Sequence, residues 1–343
     1  MFLKKAYAGK NDLWRYLIAL ALVIPFAYGF LGSIPFSLVA TSHVIKNSSS
    51  SQDVFSYLPE VQTAIQNAIQ TGDYSLIGMT SNTFLLYALF PFVLTLLALW
   101  FVTKVMHKKK MLDITTARPK LDWSRIGFGF GVWAAMLAVA EVVSYFLDPG
   151  NYVWQFEIKS FLILAAIALT LLPIQTSTEE LVMRGYLMQG ISLISKHRWI
   201  PLVVTSLIFG LLHGSNPEVA KYGFWVVMPG YIGIGLALAI MTLMDDGLEL
   251  ALGVHAANNI FGALFVTFEG SVLSTPALFK VLEINPALGT VFTLVFSAIF
   301  LLIASKKYNW VDWSKAFGDV KRPEWGMVEA EDRDVTDHLV NRS

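Results

Sequence analysis

Two adjacent carboxylates and an arginine, Glu179, Glu180 and Arg184, stand within an otherwise apolar part of the chain. The run 161–174 before them is almost wholly apolar, and Leu187, Met188, Ile191, Leu193 and Ile194 follow. Charge at the centre of a membrane helix costs at least ~2.5 kcal/mol unless a partner offsets it, so these residues mark a candidate functional site. On a helix, positions four apart share a face and neighbours lie about 100° apart. That spacing pairs Glu180 with Arg184, the acid on the N-terminal side, and turns Glu179 onto the next face without a local cation. A carboxylate left in that condition is a stronger base than one in water, and general-base chemistry is what Glu179 is placed to do. A plain ion pair at the end of a membrane helix uses the same residues, and the motif alone does not separate the two readings.

The chain has six histidines. His43, His107, His197 and His338 lie in polar connections or near the C-terminus, where solvated roles are expected. His213 closes the apolar run 207–212, and His255 ends the run 250–254 with Asn259 one helical turn later on the same face. A lone histidine in an apolar helix is more often a hydrogen-bonded packing element than a catalyst. Two of them, with Asn259 and the twin glutamate on three separate helices, point to a site. Counting the helical rise from the predicted cytoplasmic ends puts Glu179 at roughly 25 Å, His213 at roughly 21 Å, Asn259 at roughly 20 Å and His255 at roughly 14 Å, which permits one buried cluster.

Membrane helices must position these residues. With 343 residues, 55% of them hydrophobic and 15% charged, and a mean hydropathy of +0.57, the chain reads as an all-α polytopic membrane protein with its site inside a helix bundle. The absence of cysteine excludes disulfides, thiolate metal sites and a cysteine nucleophile. Lys4, Lys5, Lys10 and Arg15 precede an apolar run to about residue 40, too long for the core of a signal peptide, so a retained anchor is expected. About eight membrane helices are predicted, over 14–41, 83–106, 126–147, 158–178, 199–213, 222–244, 248–268 and 287–304. The fifth is short and, if re-entrant, leaves seven full spans.

Basic residues crowd alternate connections: the N-terminus, 107–125, the turn with Lys196 and Arg198, and the segment from Lys306. The positive-inside rule then places both termini in the cytoplasm, with only the acidic 245–249 turn out of pattern. Nothing in this distribution suggests a nucleic-acid partner. The outer loop 42–82 carries Val61, Ala64, Ile65, Ala68 and Ile69 at helical spacing, a short amphipathic helix. Gly230, Gly233, Gly235, Ala237 and Ala239 form a helix-packing stripe. Trp123 and Trp313 are read as interface anchors, and Glu141 as a lone packing or interface acid. Three regions follow: 1–125 with two helices and the outer loop, 126–304 with the candidate site, and 305–343, a cytoplasmic tail expected to be mobile.

Glu179-Glu180-x-x-x-Arg184, Phe209-x-x-x-His213 and His255-x-x-x-Asn259, in order on successive apolar helices, resemble the CPBP intramembrane proteases. That family includes the CAAX-processing endopeptidases of prenylated proteins and bacteriocin-processing or self-immunity proteins of bacteria. The likeness covers about 126–304; Met183 stands where an aromatic is common. The resemblance implies hydrolysis of a peptide bond in a membrane-associated peptide or protein; the expected location is the bacterial plasma membrane, as an integral protein. Glu179 and His213 would activate the water, His255 and Asn259 would donate to the oxyanion, and Glu180, Arg184 and Phe209 would be structural. Glutamate and two histidines also form an adequate zinc set, so Glu179, His213 and His255 stand as possible metal ligands. The alternative is a non-catalytic immunity, scaffolding or peptide-binding protein on the same scaffold.

Overall fold

The computed structural model describes residues 1–48 and 53–320. In chain order its main elements are α1 (Leu13–Asn47), α2 (Leu58–Thr71), α3 (Ser81–Met106), α4 (Trp123–Leu147), β1 (Tyr152–Trp154), α5 (Ile158–Ile194), α6 (Trp199–Leu212), α7 (Phe224–Met244), α8 (Glu249–Leu264), β2 (Val266–Phe268), β3 (Phe279–Val281) and α9 (Pro286–Tyr308). The molecule is an all-α membrane protein in which the strands form only a small appendage.

Each predicted apolar segment becomes a helix, but six of the eight, α1, α3, α4, α5, α7 and α9, are long and apolar enough to cross a membrane. Of the other two, α6 has 14 residues and α8 has 16, short of the ~20 that a full span needs. The segment predicted over 248–268 stops at Leu264 because the chain turns into β2. The sheet runs in the order β1-β3-β2. β1 lies antiparallel to β3, with Tyr152 opposite Val281, and β2 lies parallel to it, with Val266 opposite Phe279.

Local chemistry sets the helix starts. The first free backbone N–H groups of α4 and α5 are taken up by side chains: Ser124 donates to Asp122 Oδ1 at 3.0 Å, and Ser160 donates to Glu157 Oε2 at 2.7 Å. Asn285 Oδ1 does the same for α9, accepting from Leu288 at 3.1 Å. At the far end of α9, Asn309 takes a left-handed conformation with φ 51° and turns the chain.

One core includes Phe2, Leu3, Tyr16 and Leu99 from the N-terminal part together with Tyr186, Met188, Phe209 and Met241. The N-terminal segment therefore packs into the body that carries the candidate site. It also explains His107, which is fully buried instead of solvated. The segment folds over it, so that His107 Nδ1 donates to the Lys10 carbonyl at 2.7 Å and Nε2 meets the Tyr186 hydroxyl at 2.7 Å. His43 is bonded to Asn47 within α1, and His197 to Asp319 at 2.7 Å.

The mobile tail expected from 305 is packed as far as it is described. Trp310 and Ala316 are buried, and the Val320 N–H donates to the Lys196 carbonyl at 2.9 Å. Residues 321–343, with His338, lie outside the described residues. The stripe on α7 does pack: Gly230 faces Thr290 of α9, and Gly235 faces Phe209 and Ser206 of α6, with a Cβ there reaching 3.2 Å from both. Glu141 accepts from the Tyr152 hydroxyl at 2.6 Å, tying α4 to β1.

Candidate active site

The twin glutamate lies inside α5, which continues well past the predicted end at 178. Pro173 interrupts its hydrogen-bond ladder one turn and a half earlier, since proline has no N–H to give the carbonyl four residues back. Directly after Glu180 the helix widens into a π-helical stretch, Leu181–Leu187. Such local widening is frequent at functional sites.

Glu180 and Arg184 form the pair that their spacing predicts, 2.9 Å apart and both fully buried. Arg184 also donates to the Gly235 carbonyl at 3.0 Å and lies with Cζ 4.3 Å from the centre of the Phe209 ring. Gly235 allows this approach, because α6 and Arg184 press on the space where a side chain would be. The same oxygen of Glu180 that binds Arg184 also accepts from His255 Nδ1 at 2.8 Å. Glu180 is thus bonded to both neighbours, and it fixes the proton of His255 on Nδ1.

Glu179 does not stand apart from positive partners as its helical face suggests. His255 Nε2 lies 3.5 Å from its Oε2, so one imidazole bridges the two carboxylates. Oε1 of Glu179 accepts from Gln175 Nε2 at 2.6 Å. Oε2 is buried without a hydrogen-bond partner among the described residues. An ionised carboxylate oxygen in that state is an unfilled acceptor.

His213 follows the last residue of α6. Its Nδ1 donates to the Phe209 carbonyl at 2.8 Å, which leaves the lone pair of the neutral ring on Nε2. Tyr231 of α7 stacks on the ring at 4.5 Å and 25°. The Tyr231 hydroxyl donates to Glu218 and accepts from Asn216 at 2.9 Å. Asn259 donates to Gln175 Oε1 at 3.0 Å, and its amide keeps a second N–H. Phe209 is the hinge of the arrangement, its ring within 4.6 Å of His213 and 5.8 Å of His255.

Of the residues singled out from sequence, Glu179, Glu180, Arg184 and His255 are in direct contact, Asn259 joins through Gln175, and His213 joins through Phe209. The possible metal set Glu179, His213 and His255 does not assemble. Both His255 nitrogens face carboxylates, and no group of three His, Cys, Asp or Glu among the described residues is arranged to hold a metal ion. Sequence reasoning missed Gln175 and Tyr231. Gln175 was within reach, since it stands four residues before Glu179 on the same face. Tyr231 sits in the glycine-rich stripe of α7, where nothing but its hydroxyl distinguishes it from packing.

Residues 159–261 match the model of a family described as type II CAAX prenyl endopeptidase Rce1-like. All of the motif residues above fall inside that range. The chain is also similar to the uncharacterized protein YyaK of Bacillus subtilis, with 29% identity over 298 residues, 86% of this chain and 92% of the relative. No solved structure matches it.

Proposed function

We propose that this chain, whose residues 159–261 match the Rce1-like type II CAAX prenyl endopeptidase model, is an integral membrane endopeptidase. It hydrolyses a peptide bond of a membrane-associated protein or peptide with water activated by Glu179. The observation that carries this reading is the divided carboxylate of Glu179. One oxygen is held by Gln175, and the other is buried, without a hydrogen-bond partner, and 3.5 Å from His255.

Oε2 of Glu179 takes a proton from water as the water oxygen bonds to the scissile carbonyl carbon, and His213 orients that water through the lone pair on Nε2. The oxyanion that forms is met by the second N–H of Asn259 and by His255 Nε2. With Nδ1 bonded to Glu180, His255 donates from Nε2 in its doubly protonated form, in which both ring nitrogens carry an N–H. Collapse of the intermediate breaks the C–N bond, and Oε2 returns its proton to the leaving amine. Glu180 and Arg184 hold His255 in place, with Phe209 packed against them.

Glu179→Gln keeps shape and removes the base. In proteoliposomes, cleavage of a farnesylated reporter peptide ending in a CAAX sequence should fall by at least ~10²-fold, with the protein folded as before. Comparing membrane proteomes from cells with wild-type and Glu179→Gln protein then finds the native substrate by its accumulation. Full cleavage or full biological activity in Glu179→Gln would reject this site and favour a peptide-binding role.

A further inference from the structure

We propose that Trp133 and Asn258 are positioning residues for Glu179, acting through Asn259 and Gln175 to keep the proton it accepts on Oε2, the oxygen that faces the reaction. The proposal rests on the reading of Glu179 as the base.

Four hydrogen bonds run in one direction across three helices. Trp133 Nε1 on α4 donates to Asn258 Oδ1 at 3.2 Å, and Asn258 Nδ2 donates to Asn259 Oδ1 at 3.2 Å. Asn259 Nδ2 on α8 donates to Gln175 Oε1 at 3.0 Å, and Gln175 Nε2 on α5 donates to Glu179 Oε1 at 2.6 Å. The ends differ in kind from the middle. An indole N–H can only donate and an ionised carboxylate can only accept, whereas each amide between them can do either by turning over. A chain with a donor at one end and an acceptor at the other has a single polarity that satisfies every link.

The indole matters once Glu179 has taken the proton of water. A neutral carboxyl group can donate as well as accept. If the chain had no fixed end, the three amides could turn over together, and the proton could settle on Oε1 as a donor to Gln175. It would then be stranded away from the leaving amine. Trp133 blocks that inversion, because its N–H would be left facing the NH2 of Asn258. The indole cannot turn away, being buried and wedged edge-on between Phe296 and Phe300 at 6.5 and 6.0 Å. Oε1 therefore stays an acceptor in both states of Glu179. The proton stays on Oε2, from which it passes to the amine nitrogen as the C–N bond breaks.

The test uses the full chain in proteoliposomes with the farnesylated CAAX reporter peptide. Gln175→Leu should lower kcat about 10-fold or more, the scale of a lost hydrogen bond to a charged group, with KM within about 2-fold. Trp133→Phe keeps the ring and loses only the N–H; it should lower kcat about 3-fold or more, again with little change in KM. The double variant should match Gln175→Leu alone, as expected of residues that act as a unit. Trp133 and Gln175 are separated by two amides, so a packing role for Trp133 would give losses that multiply, and that result would overturn the proposal.

A second measurement needs no turnover. The ¹⁵N indole resonance of Trp133, assigned by its loss in Trp133→Phe, should move in Gln175→Leu and in Glu179→Gln, neither of which touches the ring. A resonance unmoved in both would overturn the relay even if the protease reading stands. Failure of the wild type to cut any peptide would sink that reading and leave this arm to decide the relay.

Discussion

Glu180 Oε1 accepts from Arg184 and from His255 at once, so the pair that looks like charge compensation also orients an imidazole. The two roles separate by mutation. Removing one member of a buried pair leaves an uncompensated charge and costs ~3–5 kcal/mol, whereas replacing both by apolar residues is often neutral. Glu180→Leu with Arg184→Leu should therefore accumulate in membranes better than either single variant, as read by quantitative immunoblot of purified membranes. It should still fail to cleave, because His255 has lost the acceptor that fixes its Nδ1. Equal loss of protein in all three variants would mean that the pair contributes nothing as a pair. Spacing alone made this contact legible, and the same four-residue rule predicts Gln175 against Glu179. The contact of Glu180 with His255, 75 residues away, was not legible. It depends on how α8 lies against α5, which no local pattern encodes.

At the scale of elements, hydropathy located all six helices among the described residues that are long enough to cross a membrane, but it also counted α6 and α8 as spans and misjudged where several helices end. It does not register that β2 takes over after Leu264, or that α5 runs on through its charged residues because Glu180 and Arg184 neutralise each other within the helix. The run His107-Lys108-Lys109-Lys110 read as a solvated loop for a related reason: the N-terminal helical turn Phe2–Tyr7 covers it. Lys109 Nζ donates to the Ala6 carbonyl at 2.7 Å, and Lys5 pairs with Asp113 at 3.2 Å. This strap should respond to pH. Burial, with the nearby cations Lys109 and Arg15, pushes His107 down from 6.5 to about 4. A depressed folded value means that the neutral ring stabilises the docked strap above pH 6.5, and that this stability is lost as pH falls through about 4. A spin label on Lys4→Cys should become mobile across that window, and His107→Gln should abolish the step. A label whose mobility follows the same curve in His107→Gln would assign the transition to another group.

Taken whole, the molecule joins its connections into two opposed faces. On one, the Phe2 N–H donates to Asp246 at 2.9 Å, Lys315 pairs with Asp246 at 2.7 Å, and Arg198 donates to the Ser314 carbonyl at 3.0 Å. Arg118 pairs with Asp245 at 3.0 Å and Glu249 at 3.1 Å, and Arg125 also pairs with Asp245. The connections rich in lysine and arginine thus meet one another. The acidic 245–249 turn, the one exception to the basic pattern, is where their charge is neutralised. On the other face the sheet gathers the connections that are poor in basic residues, with Asn151 bonded to the Glu283 carbonyl at 2.8 Å and Lys221 to the Glu269 carbonyl at 3.0 Å. A basic face of this kind belongs in the cytoplasm under the positive-inside rule, which sets the orientation we propose. The chain has no cysteine, so single cysteines report cleanly. Gln66 and Glu283 are exposed on the sheet side, and Lys4 and Lys110 on the basic side. Cysteines at the first two should react with a membrane-impermeant maleimide in intact cells, and those at the second two only after permeabilisation. Labelling of Lys110→Cys in intact cells, with Glu283→Cys protected, would invert the topology and place the strap and the 245–249 charge cluster on the outer surface.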